Sequence, residues 1–238
     1  MTLTRVVVLF FALAFGLSAA VVFSESSGTR AAQVSFDLCG GGTQLCGSLS
    51  NTSLFDVLDP TEVLTGVFFD YEGGDLSGLT RIEVRLSTGA SVVHGGTDPG
   101  GVVGGEWAFV PGLLGFPGAY AIGSAGYIPG SGYQFPGSNL QGPDGIDGLQ
   151  YGIVPFADNS ATGNAPVTGG NALIVGGVDF VLANLPQGFD LEGLRFRRFQ
   201  YGTSLTEPGL PDEPVPEPAT VGLMAAGLLF LISRRSRS

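Results

Sequence analysis

Three aspartates in glycine-rich stretches are the residues of this chain best suited to bind a ligand. Asp144 and Asp147 flank a glycine turn in GPDGIDGLQYG, and Asp158 follows in a second turn beside Asn159. Oxygen ligands on tight loops are what Ca²⁺ prefers in proteins. Aspartate and glycine are also good turn formers without any ligand. The stretch therefore indicates either a calcium site, with calcium as the one cofactor suggested, or two structural turns.

Residues that suit catalysis are few. His94 lies in SVVHGGTD, but the chain has no G-x-S-x-G elbow for it to activate, and a single histidine at the end of a strand is typical of a turn. The chain has no lysine and no glycine-rich loop with the spacing of a nucleotide site. Carboxylate pairs suited to glycoside hydrolysis occur in any acidic protein. The sequence therefore predicts no enzyme activity and no catalytic residue.

Both ends of the chain carry apolar segments. At the front, Arg5 precedes an apolar run and the small residues SAA, which predicts a secretory signal peptide over 1–20 that signal peptidase removes. An uncleaved anchor is the alternative. At the back, residues 219–232 carry no charge. As a helix they span roughly 21 Å of a hydrocarbon core about 30 Å thick, so we expect a weak hold on a membrane.

Prolines and arginines frame the apolar segment 219–232. The prolines of VPEPAT prevent the helix from extending backwards, and the stretch 206–215 before them is an acidic, proline-rich linker. The arginine cluster RRSR follows the segment, and basic residues stay on the cytoplasmic side of a membrane. We therefore expect everything between the two apolar ends to be exported.

The tail over 215–238 resembles the PEP-CTERM sorting signal, in which Pro-Glu-Pro, a short apolar helix and an arginine cluster follow one another. In that family a membrane-embedded cysteine transpeptidase, exosortase, processes the tail and releases or transfers the exported body. The resemblance implies a recognition motif of Pro216, Glu217 and Pro218, a transient anchor over 219–232, and a retention end of Arg234, Arg235 and Arg237. It also implies brief attachment to the inner membrane and a final place on the cell envelope surface or outside the cell.

The expected exported piece is strongly acidic. It keeps six arginines against all 21 acidic residues, a net charge of −15. Such a surface argues against nucleic acid as a partner, because phosphates require a basic face. It fits a soluble surface that repels anionic envelopes or one that recruits divalent cations.

Cys39 and Cys46 are the only cysteines, and they enclose a glycine-rich loop in CGGGTQLC. In an exported chain an isolated close pair favours a local disulfide. The loop is short, so its closure should contribute somewhat less than the ~3 kcal/mol expected for a loop of about 15 residues. A zinc site would need further soft ligands, and His94 is the only histidine.

Short apolar runs separated by turn residues predict a sheet-rich body. The predicted strands are 33–38, 63–71, 81–87, 107–110, 172–175, 178–182 and 195–201. In 81–87 the alternation places Ile82 and Val84 on a buried face and Arg81 on a wet face. In 195–201 we expect aromatic residues to pack inward and arginines to balance neighbouring acids.

These patterns predict an all-β fold, a single β-sandwich or jelly-roll-like domain over 32–205. A long loop region rich in glycine and proline is expected at about 95–148. Two functions fit this organisation. One is a structural protein of the cell surface or extracellular matrix. The other is a carbohydrate-binding module, with or without calcium, that holds exopolysaccharide.

Overall fold

The body of the protein is built from β-strands. In this computed structural model the described residues are 20–94, 101–103, 106–111, 120–124, 149–161, 172–202, 207 and 209–211. The strands are β1 (Val21–Ser27), β2 (Arg30–Cys39), β3 (Gln44–Asn51), β4 (Leu64–Tyr71), β5 (Thr80–Leu86), β6 (Ser91–Val93), β7 (Trp107–Pro111), β8 (Tyr120–Ser124), β9 (Gly152–Val154), β10 (Leu173–Val175), β11 (Gly177–Ala183), β12 (Leu194–Tyr201) and β13 (Gly209–Leu210). The predicted all-β class is confirmed.

Among the described residues, the complete helical elements are short 3-10 turns, at Gly40–Gly42, Pro60–Glu62 and Leu191–Gly193. Within the described ranges, no helix combines the length and the apolar character needed to cross a membrane. Residues 1–19 and 212–238 lie outside those ranges, and with them nearly all of the predicted signal peptide and the whole sorting segment.

The strands form two sheets. Sheet A has the order β1-β2-β3-β11-β5, and all of its pairs are antiparallel. Sheet B follows the path β13-β12-β4-β9-β10-β6, with β8 beside β4 and β7 beside β8. Its only parallel pair among the described strands is β9 with β10. The strands β1 and β13 lie outside the limits 32–205 that the sequence suggested for the domain.

The large apolar cluster of the described residues lies between the two sheets. Phe36 of β2 contacts Phe69 of β4 in the opposite sheet, with ring centroids 5.1 Å apart. Phe180 of β11, in the same sheet as Phe36, lies against the ring of Phe36 with centroids 5.8 Å apart. All three side chains are fully buried, and a buried side chain of this size stabilises a fold by about 1.5–3 kcal/mol. The two sheets therefore cover each other's apolar faces.

Each of the seven predicted strands overlaps an observed one, whereas β1, β3, β6, β8, β9 and β13 were not predicted. The missed strands β3 (QLCGSLSN) and β8 (YAIGS) contain small and polar residues that hide the alternation. The region 95–148, which we expected to be mostly loop, contains both β7 and β8. β7 was predicted as a strand within this region, but the prediction of a loop was wrong for β8.

β5 departs from its predicted alternation. Arg81 is only 1% exposed, whereas Ile82 is 46% exposed. The register with β11 shifts between Val181 and Leu182, which leaves Ile82 as an extra residue in a β-bulge. The predicted faces of Arg81 and Ile82 are therefore wrong, while Val84 is buried as predicted.

Gly47 in β3 offers a test of the packing in sheet A. A Cβ atom at this position would lie 2.3 Å from the ring of Phe180. We expect Gly47→Ala to lower the free energy of unfolding by about 1–3 kcal/mol, the usual cost of overpacking a core. Denaturant unfolding of the purified protein measures the change.

Gly78→Ala is the matched control, because a Cβ atom there meets nothing within 4 Å. Its free energy of unfolding should stay within about 0.5 kcal/mol of the unmodified protein. Equal stabilities for the two alanine variants would contradict the close packing of β3 against Phe180.

Candidate functional site

Two loops that leave different sheets meet at one edge of the body. Residues 52–59 follow β3 of sheet A, and residues 155–161 follow β9 of sheet B. Direct hydrogen bonds join the two loops. We refer to residues 52–59 and 155–161 together as the loop pair.

Two aspartates hold the loop pair together in a reciprocal arrangement. The backbone N–H of Val57 donates to Oδ1 of Asp158 at 3.0 Å. The backbone N–H of Asn159 donates to Oδ1 of Asp56 at 2.9 Å. Hydrogen bonds to a charged acceptor are stronger than neutral ones. Each loop thus supplies a carboxylate that fixes the backbone of the other.

The end of the first loop is fixed by the sequence DPTE. Oδ1 of Asp59 accepts the backbone N–H of Thr61 at 2.8 Å, and Oε2 of Glu62 accepts the N–H of Asp59 at 3.3 Å. This is a capping box with proline in the first helical turn. The hydrogen bonds from Thr61 lower the pKa of Asp59.

The carboxylates of the loop pair also interact electrostatically. The pKa of Asp158 is raised, first by burial and further by the hydrogen bond and negative charge of Asp56. The N–H of Val57 and the charge of His94 act in the opposite direction. His94 follows β6 with a left-handed backbone, φ 62°, in keeping with the predicted turn. Asp56 and Asp158 therefore form a coupled acidic pair near the only histidine.

Large apolar side chains of the loop pair lie on the surface. Leu54 is 85% exposed, Phe55 56%, Leu58 64% and Phe156 63%. The ring of Phe156 covers the backbone of Gly176, where a Cβ atom would lie 2.4 Å from it. Exposed apolar groups that cluster, unlike scattered ones, mark interaction surfaces. Sequence reasoning missed this surface, although the run SLFDVL signals it.

Of the three predicted calcium ligands, only Asp158 belongs to the described residues. Asp144 and Asp147 lie outside them. Within the part of the chain that the structure describes, no three His, Cys, Asp or Glu side chains are placed to hold a metal ion. The calcium hypothesis for Asp144, Asp147 and Asp158 therefore stays a prediction.

Cys39 and Cys46 form a disulfide bond, in agreement with the sequence prediction. The bond joins the end of β2 to β3, where Cys39 is paired with Gln44 and Asp37 with Cys46. The turn between them needs its glycines, because Gly40–Gly42 have φ values of 56°, 70° and 87°. The disulfide closes the tip of a hairpin that the strand register already defines.

The aromatic and basic residues of β12 follow the predicted arrangement in part. Phe199 is fully buried, whereas Arg195 and Arg197 form ion pairs with Glu72 and Asp70. Arg195 and Arg197 therefore balance neighbouring acids, whereas Arg198 donates to Oε1 of Gln200 and lies over the ring of Phe68.

Two charged residues lie in the interior without having been predicted there. Arg81 and Glu106 are each 1% exposed, and Nε2 of Gln150 donates to Oε2 of Glu106 at 3.3 Å. Burial lowers the pKa of Arg81 to about 10, so this side chain keeps its charge at neutral pH. The bulge in β5 turns Arg81 inward, and a bulge leaves no mark in the local sequence pattern.

The comparisons with known proteins concern the tail. Residues 214–238 match the family model of the PEP-CTERM protein-sorting motif. No curated protein and no solved structure matches the chain. The predicted resemblance is thus confirmed, and the motif implies export, transient membrane anchoring and processing by an exosortase. The described body is all-β, the chain carries this sorting motif, and the geometry of the motif lies outside the described residues.

The raised pKa of Asp158 predicts a pH-dependent effect of its charge. A carboxyl whose pKa rises on folding favours the folded state below its ordinary value of 3.8, and this contribution is lost as the pH rises through the raised pKa. Asp158→Asn keeps an oxygen that accepts the N–H of Val57 but removes the charge. We expect this variant to have a higher Tm than the unmodified protein at pH 7 and an unchanged Tm near pH 3.

Asp158→Ala is the control, because it removes the charge and the acceptor together. It should lower the free energy of unfolding by about 1 kcal/mol relative to Asp158→Asn at both pH values. Thermal unfolding followed by circular dichroism gives the comparison. A Tm for Asp158→Asn at or below that of the unmodified protein at pH 7 would contradict a raised pKa of Asp158 in the folded protein.

Proposed function

We propose that this chain is a non-enzymatic structural protein of the bacterial surface or extracellular matrix. It is exported through the segment 1–20, held briefly in the inner membrane by 219–232, and processed by an exosortase. The observation that carries the proposal is the match of residues 214–238 to the sorting motif. The disulfide between Cys39 and Cys46 also supports it, because disulfides in small domains are typical of proteins exported to an oxidising environment.

The tail combines two separable physical tasks. The apolar segment holds the membrane weakly, because it is shorter than the hydrocarbon core. The Pro-Glu-Pro motif presents a charged group on a stiff, extended backbone, since each proline restricts its own φ and the residue before it. Anchoring and recognition should therefore respond to different substitutions.

The first test replaces the charged residue of the motif. Glu217→Ala leaves the apolar segment and the arginines intact, so insertion should persist while processing fails and the unprocessed protein accumulates in membranes. Glu213→Ala is the matched control, because Glu213 also precedes a proline but lies outside the matched residues. It should be processed normally.

Replacement of Arg234, Arg235 and Arg237 together should weaken retention, so that the tail slips outward unprocessed.

Fractionation with immunoblotting and mass spectrometry reads out these variants. The unmodified surface protein should begin near Val21 and end close to the Pro216 motif. Normal processing of Glu217→Ala would show that the motif is only a spacer and that the tail is an ordinary weak anchor.

A carbohydrate-binding function is the second candidate, and the loop pair favours it. The exposed rings of Phe55 and Phe156 offer flat apolar surfaces of the kind on which sugar rings stack. Asp56 and Asp158 belong to the same two loops, and their carboxylates could accept hydrogen bonds from sugar hydroxyl groups. Exopolysaccharide is the matching partner outside the cell.

Glycan arrays with and without calcium test this second candidate. If it holds, the exported protein binds a defined saccharide, and Phe55→Ala loses most of that binding. Leu54→Ala is the control, because Leu54 is the more exposed of the two neighbours and has no ring. Saccharide binding that depends on Phe55 would rule out the purely structural account, and its absence would rule out the loop pair as a sugar site.

A further inference from the structure

The strand β1 forms an open edge of sheet A. Its seven residues pair with β2 without interruption, from Val21 opposite Phe36 to Ser27 opposite Arg30. Among the described strands no other strand pairs with β1. An open edge presents a row of N–H and C=O groups that can pair with a further strand.

The other sheet edges are covered or short. At β5, the N–H of Leu86 donates to the carbonyl of Gly101 at 2.7 Å, and the N–H of Val103 donates to Val84 at 3.0 Å. In sheet B, β13 has two residues and β6 has three, and β7 ends in Pro111. The edge of β1 is thus the longest uncovered one in the described part of the fold.

The sequence of β1, VVFSESS, lacks the devices that usually protect an edge. It contains no proline and no lysine, and its register shows no bulge. Its single charged residue is Glu25. In a protein with 21 acidic residues, this edge is only sparsely charged.

The hairpin geometry fixes which backbone groups of β1 point outward. A two-residue turn joins β1 to β2, so Ser27 and Arg30 form the closing hydrogen-bonded pair. In an antiparallel ladder, successive residues direct their N–H and C=O groups to opposite sides. Val22, Ser24 and Ser26 therefore direct these groups away from β2.

We propose that β1 pairs antiparallel with β1 of a second copy of this chain, about a two-fold axis at Ser24. This register puts Ser24 opposite its equivalent and Val22 opposite Ser26, so all three outward-directed residues form hydrogen-bonded pairs. It also puts Glu25 opposite Phe23, so no like charges face each other. The contact is self-complementary, as a two-fold interface requires. The inference rests on the proposed function, in which many copies occupy one surface.

Charge sets the conditions under which the pairing forms. Each exported body carries a net charge of −15, so two copies repel each other before their β1 strands come into contact. Salt screens this repulsion over a distance of about 10 Å at 0.1 M. The dimer should therefore become more abundant as the salt concentration rises, the opposite of a contact held by ion pairs.

Cysteine cross-linking tests the register in cells that produce the full chain. In the proposed pairing, the Cα atoms at position 24 lie about 5.5 Å apart, within the range of a disulfide. The two copies of position 26 are offset by four residues along the strand, about 13 Å. Ser24→Cys should therefore yield a disulfide-linked dimer on oxidation, about tenfold more than the matched control Ser26→Cys.

A second variant tests the backbone pairing without a new thiol. Ser24→Pro removes an N–H that points away from β2, so the β1–β2 hairpin keeps its hydrogen bonds. Sedimentation of the purified protein at low and high salt should show a salt-promoted dimer that this variant lacks. Its thermal unfolding confirms that the fold is retained.

The outcomes separate the edge pairing from the proposed function. Cross-linking at position 24 but not 26 supports the pairing; equal cross-linking at both positions, or none, overturns it. Processed surface protein without a cross-link would overturn the pairing alone. A cross-linked dimer that stays unprocessed in the membrane would overturn the proposed sorting alone.

Discussion

The contact of Phe36 with Phe69 across the two sheets is the interaction on which the rest of the structure depends. Each sheet presents an apolar face that water would otherwise meet, and only the other sheet covers it. This favours registers that point the large apolar side chains inward, as at Phe36, Phe69 and Phe180. The remaining features lie outside this interior: the loops and the hairpin disulfide at the ends of strands, and the ion pairs of β12 on an outer face.

The same constraint explains how much of the fold the sequence could predict. Strands such as β2, where Val34 and Phe36 alternate with polar residues, reveal their buried face locally. β8 (YAIGS) does not, because its small residues show no clear alternation. What places it is the close approach of β4, where a Cβ atom at Gly66 would lie 2.8 Å from the carbonyl oxygen of Ile122. The inward turn of Arg81 depends on pairing with β11, about 100 residues further along, and local alternation carries no record of that partner.

Functional features divide in the same way. The sorting motif could be predicted because it is linear: its parts act through their order along the chain. The loop pair could not, because Asp56 and Asp158 become neighbours only when β3 and β9 bring their loops together. Asp158 stood out as a turn residue in the sequence, but its partner did not. A site assembled from distant loops is visible only in the fold.

The negative charge of the body and the open edge of β1 act over different distances, and this difference determines when two copies can associate. Repulsion between bodies of net charge −15 acts at a distance and keeps copies apart where they are dilute or where salt is low. Backbone pairing acts only at contact, and its directional groups accept one register. In the proposed function, processing gathers copies in one layer, so their local concentration rises while the charge on each stays the same, and mass action shifts the balance towards contact. In the proposed function, the tail decides where the copies accumulate, and the proposed pairing of β1 decides how they meet.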